Sequence, residues 1–283
     1  MPHEYRALVL DLDGTLIGPS GLPHPRTKAA LDALRAGGVT VMIATGRSEG
    51  GTRPVLDHLG YDNPALVYNG AGLWCPIKER LIEERTLSDR TIAKVFDFCA
   101  MKDIPLVSMR AGEKFTRHPK SAGEERSLLG LEDLHFVPEA EIPRERLMRI
   151  TTYSEVYTDS ADMLRDLDAF VGQPAYYTNF PLSALYEHVG SKFQVVDVQP
   201  PCRGKGEALR FLHEMHGIHP DDVVAVGDAT NDIPMFEDAG LAVAMRDAMQ
   251  AARDAADRVI GGAETDTIAD LAEELFPACF ALS

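Results

Sequence analysis

The sequence predicts an α/β fold: a Rossmann-like core domain on a parallel sheet, with a smaller α+β cap domain inserted into it. Three observations carry that expectation. Aliphatic runs alternate with amphipathic helical patterns over the first 70 residues, the alternation resumes at Gly204, and the stretch between has a different texture. Such alternation marks parallel strands joined by helical crossovers, and runs apolar on both faces suit a sheet covered on both sides.

Taken in order, Tyr5 to Leu10 reads as a strand and Arg26 to Ala36 as a helix. The helix turns Leu31 and Leu34 inward and stops at Gly37-Gly38. Val39 to Ala44 is the second strand, a helix follows Ser48, and Ala65 to Tyr68 is the third strand. The domain boundaries expected are 1–83 for the first part of the core, 84–198 for the insert and 199–283 for the second part of the core. Inside the insert, Ser88 to Met101 and Ser160 to Val171 are helical, with Ser88 a natural N-cap. Leu147 to Tyr153, Tyr176 to Thr178 and Phe193 to Val198 are strand-like. The core resumes with a helix over Gly204 to Met215, a strand over Asp222 to Val226 and a short helix over Asp232 to Asp238. A strand over Leu241 to Met245 and a helix over Ala248 to Ala256 complete it.

Several predicted strands end in groups that carry chemistry. The first runs into Asp11-Leu12-Asp13-Gly14-Thr15. Two carboxylates in a turn at the carboxyl edge of a strand can hold a divalent cation while one attacks phosphorus and the other moves a proton. The same residues also serve a turn whose Asp side chains only bind nearby N–H groups. The second strand ends at Thr45-Gly46-Arg47, a hydroxyl and backbone N–H groups suited to phosphate oxygens or to an ordinary helix cap. Lys205 stands at the start of a helix, where its charge opposes the helix dipole unless an anion answers it. The strand before Gly227 opens into Asp228-Ala229-Thr230-Asn231-Asp232. The four-residue spacing lets Asp228 and Asp232 face one point, with Asn231 offering an amide.

These four segments, in this order, resemble the sequence motifs of the haloacid dehalogenase superfamily of phosphohydrolases: DLDGT at 11–15, Thr45 in ATGR, Lys205 in GKG and GDATNDIPM at 227–235. The place of the insert, and Tyr68-Asn69-Gly70-Ala71 after the third strand, make the chain similar to the Cof-type branch with an α/β cap. One departure is the approach Pro200-Pro201-Cys202-Arg203, where that branch often has a Gly-Val-Ser-like run. The resemblance implies that Asp11 is the nucleophile and Asp13 the proton carrier, with Thr45 and Lys205 completing the catalytic set. Mg²⁺ would be held by Asp11, the backbone carbonyl of Asp13 and Asp228, with Asp232 a ligand or a holder of the ligands. Substrate contacts expected on the core are Thr45, Gly46, Arg47, Asn69, Lys205 and Asn231. On the cap, Arg110, Arg117, Tyr177 and Asn179 are weaker candidates, each expected more readily as a solvated or packing residue.

The activity expected is Mg²⁺-dependent hydrolysis of a small phosphomonoester, such as a sugar phosphate, through an aspartyl-phosphate. The alternatives are a phosphomutase of the same superfamily and a non-catalytic phosphate-responsive binding protein. Composition agrees with this range: 45% apolar and 25% charged residues are ordinary for a globular protein. No apolar run nears the roughly 20 residues that cross a bilayer, and no signal sequence opens the chain, so a cytoplasmic location is expected. A net charge of −16 disfavours nucleic acid and anionic membrane as partners. It leaves room for a small anionic metabolite met by local cations, acting on a monomer or homodimer. Cys75, Cys99, Cys202 and Cys279 show no paired metal-ligand spacing, and His213, His216 and His219 read as a surface cluster at a helix end.

Overall fold

The computed structural model describes residues 4–131 and 133–281, which divide into two units. One holds the described residues up to Arg47, Thr52–Ile82 and those from Arg203 onward; the other holds Ser48–Gly51 and Glu83–Cys202.

The first unit is built on strands β1 (Ala7–Leu10) and β2 (Thr40–Ile43), with helix α1 (Pro25–Ala36) between them and α2 (Glu49–Leu59) after them. β3 (Ala65–Val67), β4 (Gly72–Cys75) and β5 (Arg80–Glu84) form a small sheet that adjoins β2 through a bridge from Ala44 to Leu66.

After strands β6 to β11 and helices α3 to α5, which lie between residues 89 and 199, come β12 (Val223–Gly227), β13 (Leu241–Met245) and β14 (Arg258–Ile260). Helices α6 (Glu207–His216), α7 (Ile233–Phe236), α8 (Gln250–Ala255) and α9 (Thr267–Leu275) accompany them. The main sheet is parallel in the order β14-β13-β12-β1-β2. All four residues of β1 and all five of β12 are buried, which is why these runs carry no polar alternation.

Strand order decides where the chemistry lies. From β1 the chain moves to β2 on one side, and β12 returns on the other. The carboxyl ends of β1 and β12 therefore flank the switch point where open α/β sheets bind ligands.

The second unit has a six-stranded sheet in the order β10-β11-β9-β6-β7-β8. These are β6 (Leu106–Arg110), β7 (Glu113–Thr116), β8 (Leu134–Phe136), β9 (Arg149–Ser154), β10 (Tyr176–Pro181) and β11 (Gln194–Gln199). Its helices are α3 (Asp89–Lys102), α4 (Ala122–Ser127) and α5 (Ser160–Val171). α3 and α5 supply Ile92, Val95, Phe98, Met163 and Leu167 to a core shared with Ile150, Val196 and Val198 of the sheet. Ser88 caps α3, its hydroxyl accepting the Thr91 N–H at 3.1 Å. No helix among the described residues is long and apolar enough to cross a membrane.

Candidate active site

Asp11 follows β1 directly, its N–H donating to the Val226 carbonyl of β12 at 3.0 Å. Leu12 turns back into the core and Gly14 takes a left-handed φ of +81°. A side chain at Gly14 would place its Cβ 2.3 Å from Asp228 Oδ2, so the turn brings the β1 end close to the loop after β12. Thr15 is buried and its hydroxyl donates to Asp228 Oδ1 at 3.3 Å. The hydroxyl of this first motif is thus a site residue to which the sequence alone assigns no role.

Lys205 is the centre of the cluster. It lies on a 3₁₀ turn, Gly204–Gly206, ahead of α6, and is 1% exposed. Its ammonium donates to Asp11 Oδ1 and to Asp232 Oδ1, each at 2.6 Å. These are the anions that a lysine at a helix start requires. Burial works against its charge, but Asp11 and Asp232 outweigh that and hold the ammonium above the ordinary lysine range.

The other oxygen of Asp232 accepts the N–H groups of Asp228 and Ala229, both at 2.8 Å. Asp232 is fully buried, with one oxygen given to the lysine and the other to the loop that carries Asp228. Carboxylate oxygens of Asp11, Asp228 and Asp232 all lie within 4.8 Å of one another. Burial, and then the neighbouring acids, push the Asp11 carboxyl well up despite Lys205. Burial, followed by Asp232, pushes Asp228 up to about 7. Three carboxylates against one ammonium leave an excess of negative charge in a confined space, and an all-oxygen donor set suits a hard divalent cation. The residues present fit Mg²⁺.

The other expected site residues divide into two groups. Thr45 is buried at the end of β2 and accepts the Arg47 N–H on its hydroxyl at 3.1 Å. Asn69 is buried, and its carboxamide oxygen accepts from Asn231 Nδ2 at 3.0 Å. Gly46 lies against the same amide, where a Cβ on the glycine would stand 3.0 Å from Asn69 Oδ1.

Asp13 and Arg47 form a pair of their own: Nε donates to Oδ2 at 2.7 Å and NH2 to Oδ1 at 2.6 Å. The Asp13 side chain is more than half exposed and is not one of the three clustered carboxylates.

In the second unit, the four weaker candidates have structural partners. Arg110 pairs with Glu113 at 2.6 Å across a hairpin, and Arg117 is buried in a bidentate pair with Glu124. Tyr177 packs on the core beneath α3 and α5, and Asn179 donates to Ser160 Oγ at 2.9 Å.

A parallel α/β sheet with a buried Asp–Lys–Asp cluster at its switch point is an arrangement suited to phosphoryl transfer. The chain belongs to the haloacid dehalogenase-like hydrolase family, whose model matches residues 8–271. It is 26% identical over 285 residues to the pyridoxal phosphate phosphatase YbhA of Escherichia coli, covering 93% of this chain and 96% of that one. It is 27% identical over 269 residues to a phosphoglycolate phosphatase of Methanopyrus kandleri, covering 95% and 96%. Among solved structures, the fold matches the phosphatase BT1666 of Bacteroides thetaiotaomicron with a TM-score of 0.79 at 20% identity, over 97% of this chain and 96% of that one. The subclass IIB sugar phosphatase BT4131 matches with a TM-score of 0.77 at 20% identity, over 95% and 98%. The Cof-type membership expected from the motifs and the α/β fold expected from the alternating strand and helix patterns are borne out.

Proposed function

We propose that the chain is a Mg²⁺-dependent phosphatase that hydrolyses a small phosphomonoester, a sugar phosphate or similar metabolite, through an aspartyl-phosphate on Asp11. The observation that carries this reading is the Asp11 carboxylate, fixed by Lys205 through Oδ1 at 2.6 Å, beside Asp228 at the sheet's switch point. The names of the Escherichia coli and Methanopyrus kandleri relatives, each a phosphatase of a small phosphorylated metabolite, support the substrate class.

In this reading the second oxygen of Asp11 attacks phosphorus as the bond to the leaving oxygen breaks, and Asp13 gives that oxygen its proton. Water then attacks phosphorus, Asp13 takes its proton, and the bond to Asp11 breaks. Lys205 favours the ionised form of Asp11 and orients it, while Thr45 and Asn231 supply donors to the phosphoryl oxygens. Asp13 must release Arg47 before it reaches the leaving oxygen, which frees the guanidinium for an anionic group of the substrate. Asp11, the Asp13 carbonyl and Asp228 would hold Mg²⁺, which supplies neutralising charge to the phosphoryl group. Asp232, with both oxygens engaged, holds the ligands rather than the cation.

The test is a panel of phosphorylated metabolites assayed with Mg²⁺, with Asp11→Asn as the blank. Phosphate release from one or a few esters, lost in Asp11→Asn while its fold persists, is the result expected. Near-native turnover in Asp11→Asn would remove the nucleophile assignment. A requirement for a bisphosphate activator with no net phosphate release would make the protein a mutase.

A further inference from the structure

The turn Tyr68-Asn69-Gly70 touches three of the four motif segments. Its backbone meets the first: Tyr68 N–H donates to the Arg47 carbonyl at 2.8 Å and Asn69 N–H to the Thr45 carbonyl at 3.0 Å. Its side chain meets the second, through the bond from Asn231 Nδ2 to Asn69 Oδ1 at 3.0 Å. Its glycine meets the third, since a Cβ on Gly70 would lie 2.3 Å from the carbonyl oxygen of Gly204, the residue before Lys205.

All three residues have positive φ, at 52°, 50° and 97°. Asparagine tolerates that region and glycine prefers it, whereas a tyrosine there is an outlier that only its surroundings can hold. Tyr68 is 1% exposed and Asn69 3%, so the turn is held by packing on every side. The left-handed run carries the Asn69 carboxamide to Asn231 and against Gly46 in a single step.

We propose that Asn69 is a positioning residue of the phosphate site: its carboxamide oxygen fixes the Asn231 amide. The turn that carries it keeps the Thr45, Lys205 and Asn231 segments in mutual register. The inference rests on the phosphatase reading above, in which Thr45 and Asn231 face the phosphoryl group. It goes beyond that reading by giving a part to Asn69, which acts on substrate through Asn231.

The test is a double-mutant cycle in the full chain. Asn69→Gly deletes the amide and keeps the left-handed backbone without strain, and Asn69→Ala repeats the deletion independently. Each is combined with Asn231→Ala, and kcat/KM is measured on p-nitrophenyl phosphate with Mg²⁺, with thermal unfolding recorded for every variant. Each single variant is expected to lose roughly tenfold to a hundredfold. The double variant should lose no more than the worse single one, because the second deletion removes nothing further. Losses that multiply in the double variant, or wild-type kinetics in Asn69→Gly, overturn the proposal. A wild-type protein that leaves the ester intact fails the phosphatase reading instead. The same cycle is then measured as calorimetric affinity for inorganic phosphate, where non-additive losses support the Asn69–Asn231 coupling and multiplying losses overturn it.

Discussion

Lys205 is buried between Asp11 and Asp232, and that burial determines what its removal does. An ammonium that touches two carboxylates in a confined site costs desolvation but spares both acids from standing alone. Lys205→Met keeps the volume and deletes the charge. The variant is expected to lose turnover by at least about a hundredfold and to lose about 3–5 kcal/mol of stability near neutral pH. The stability loss should shrink at a more acid pH, because Asp11, pushed up by its burial, takes up a proton more readily than an ordinary carboxylate and then no longer needs the lysine. Urea unfolding of wild type and variant at the two pH values checks this. A loss that grows on acidification would mean that Lys205 is held by packing rather than by its acids. The same residue explains what the sequence could say of it. A lysine at a helix start is an electrostatic misfit, and the misfit was legible; the two aspartates that answer it lie 194 and 27 residues away and were tied to it only by the motif order.

At the level of elements, the strands that carry the motifs were legible because each is buried on both faces and ends abruptly in polar residues. β1, β2, β3, β12 and β13 fall within a residue or two of their expected places. β14 was missed: Arg258-Val259-Ile260 is too short for a period to show. α9 was missed although Ile268, Leu271, Ala272 and Leu275 have helical spacing, and its pattern was there to be read. In the second unit β6, β7 and β8 escaped notice, since Leu106 to Met109 is buried throughout and shows no alternation, while β8 is only three residues long. The left-handed Tyr68 was illegible for a different reason, because tyrosine has no preference for that conformation and only the packing imposes it. The Asp13–Arg47 pair is likewise a tertiary fact that no local pattern encodes. The N-cap at Ser88 was legible, and it gives the element-scale prediction. Ser88→Ala removes the acceptor for the Thr91 N–H at the start of α3. It should cost about 1 kcal/mol by denaturant unfolding, with kcat/KM within twofold of wild type, since the serine hydroxyl bonds the Thr91 N–H and hydroxyl of its own helix. A change below about 0.3 kcal/mol would show that the helix end is satisfied without the serine.

For the whole molecule, a net charge of −16 and a site with three close carboxylates pose one question: how the folded state tolerates its own acids. Part of the answer is protonation. An Asp ordinarily titrates near about 3.9, and Asp228 is pushed up to about 7 by burial and then by Asp232. Between those values the folded protein binds a proton that the unfolded chain does not. Without a divalent cation, the stability this group contributes is therefore greatest at the acid end and falls as pH rises toward about 7. Asp11 moves in the same direction. A cation held by the same oxygens must displace those protons, so it binds better as pH rises. Mg²⁺ should accordingly stabilise the fold little near pH 5 and clearly near pH 8, by about 2.7 kcal/mol at a hundredfold excess over Kd. Trp74 makes the measurement selective, because it is the single tryptophan of the chain and lies on β4, in the unit that carries the three carboxylates. Its fluorescence reports the unfolding of that unit directly. A Mg²⁺ increment equal at both pH values, or larger at the acid one, would show that the cation binds outside the Asp11–Asp228 cluster. An increment that grows with pH and disappears in Asp228→Asn would place it there.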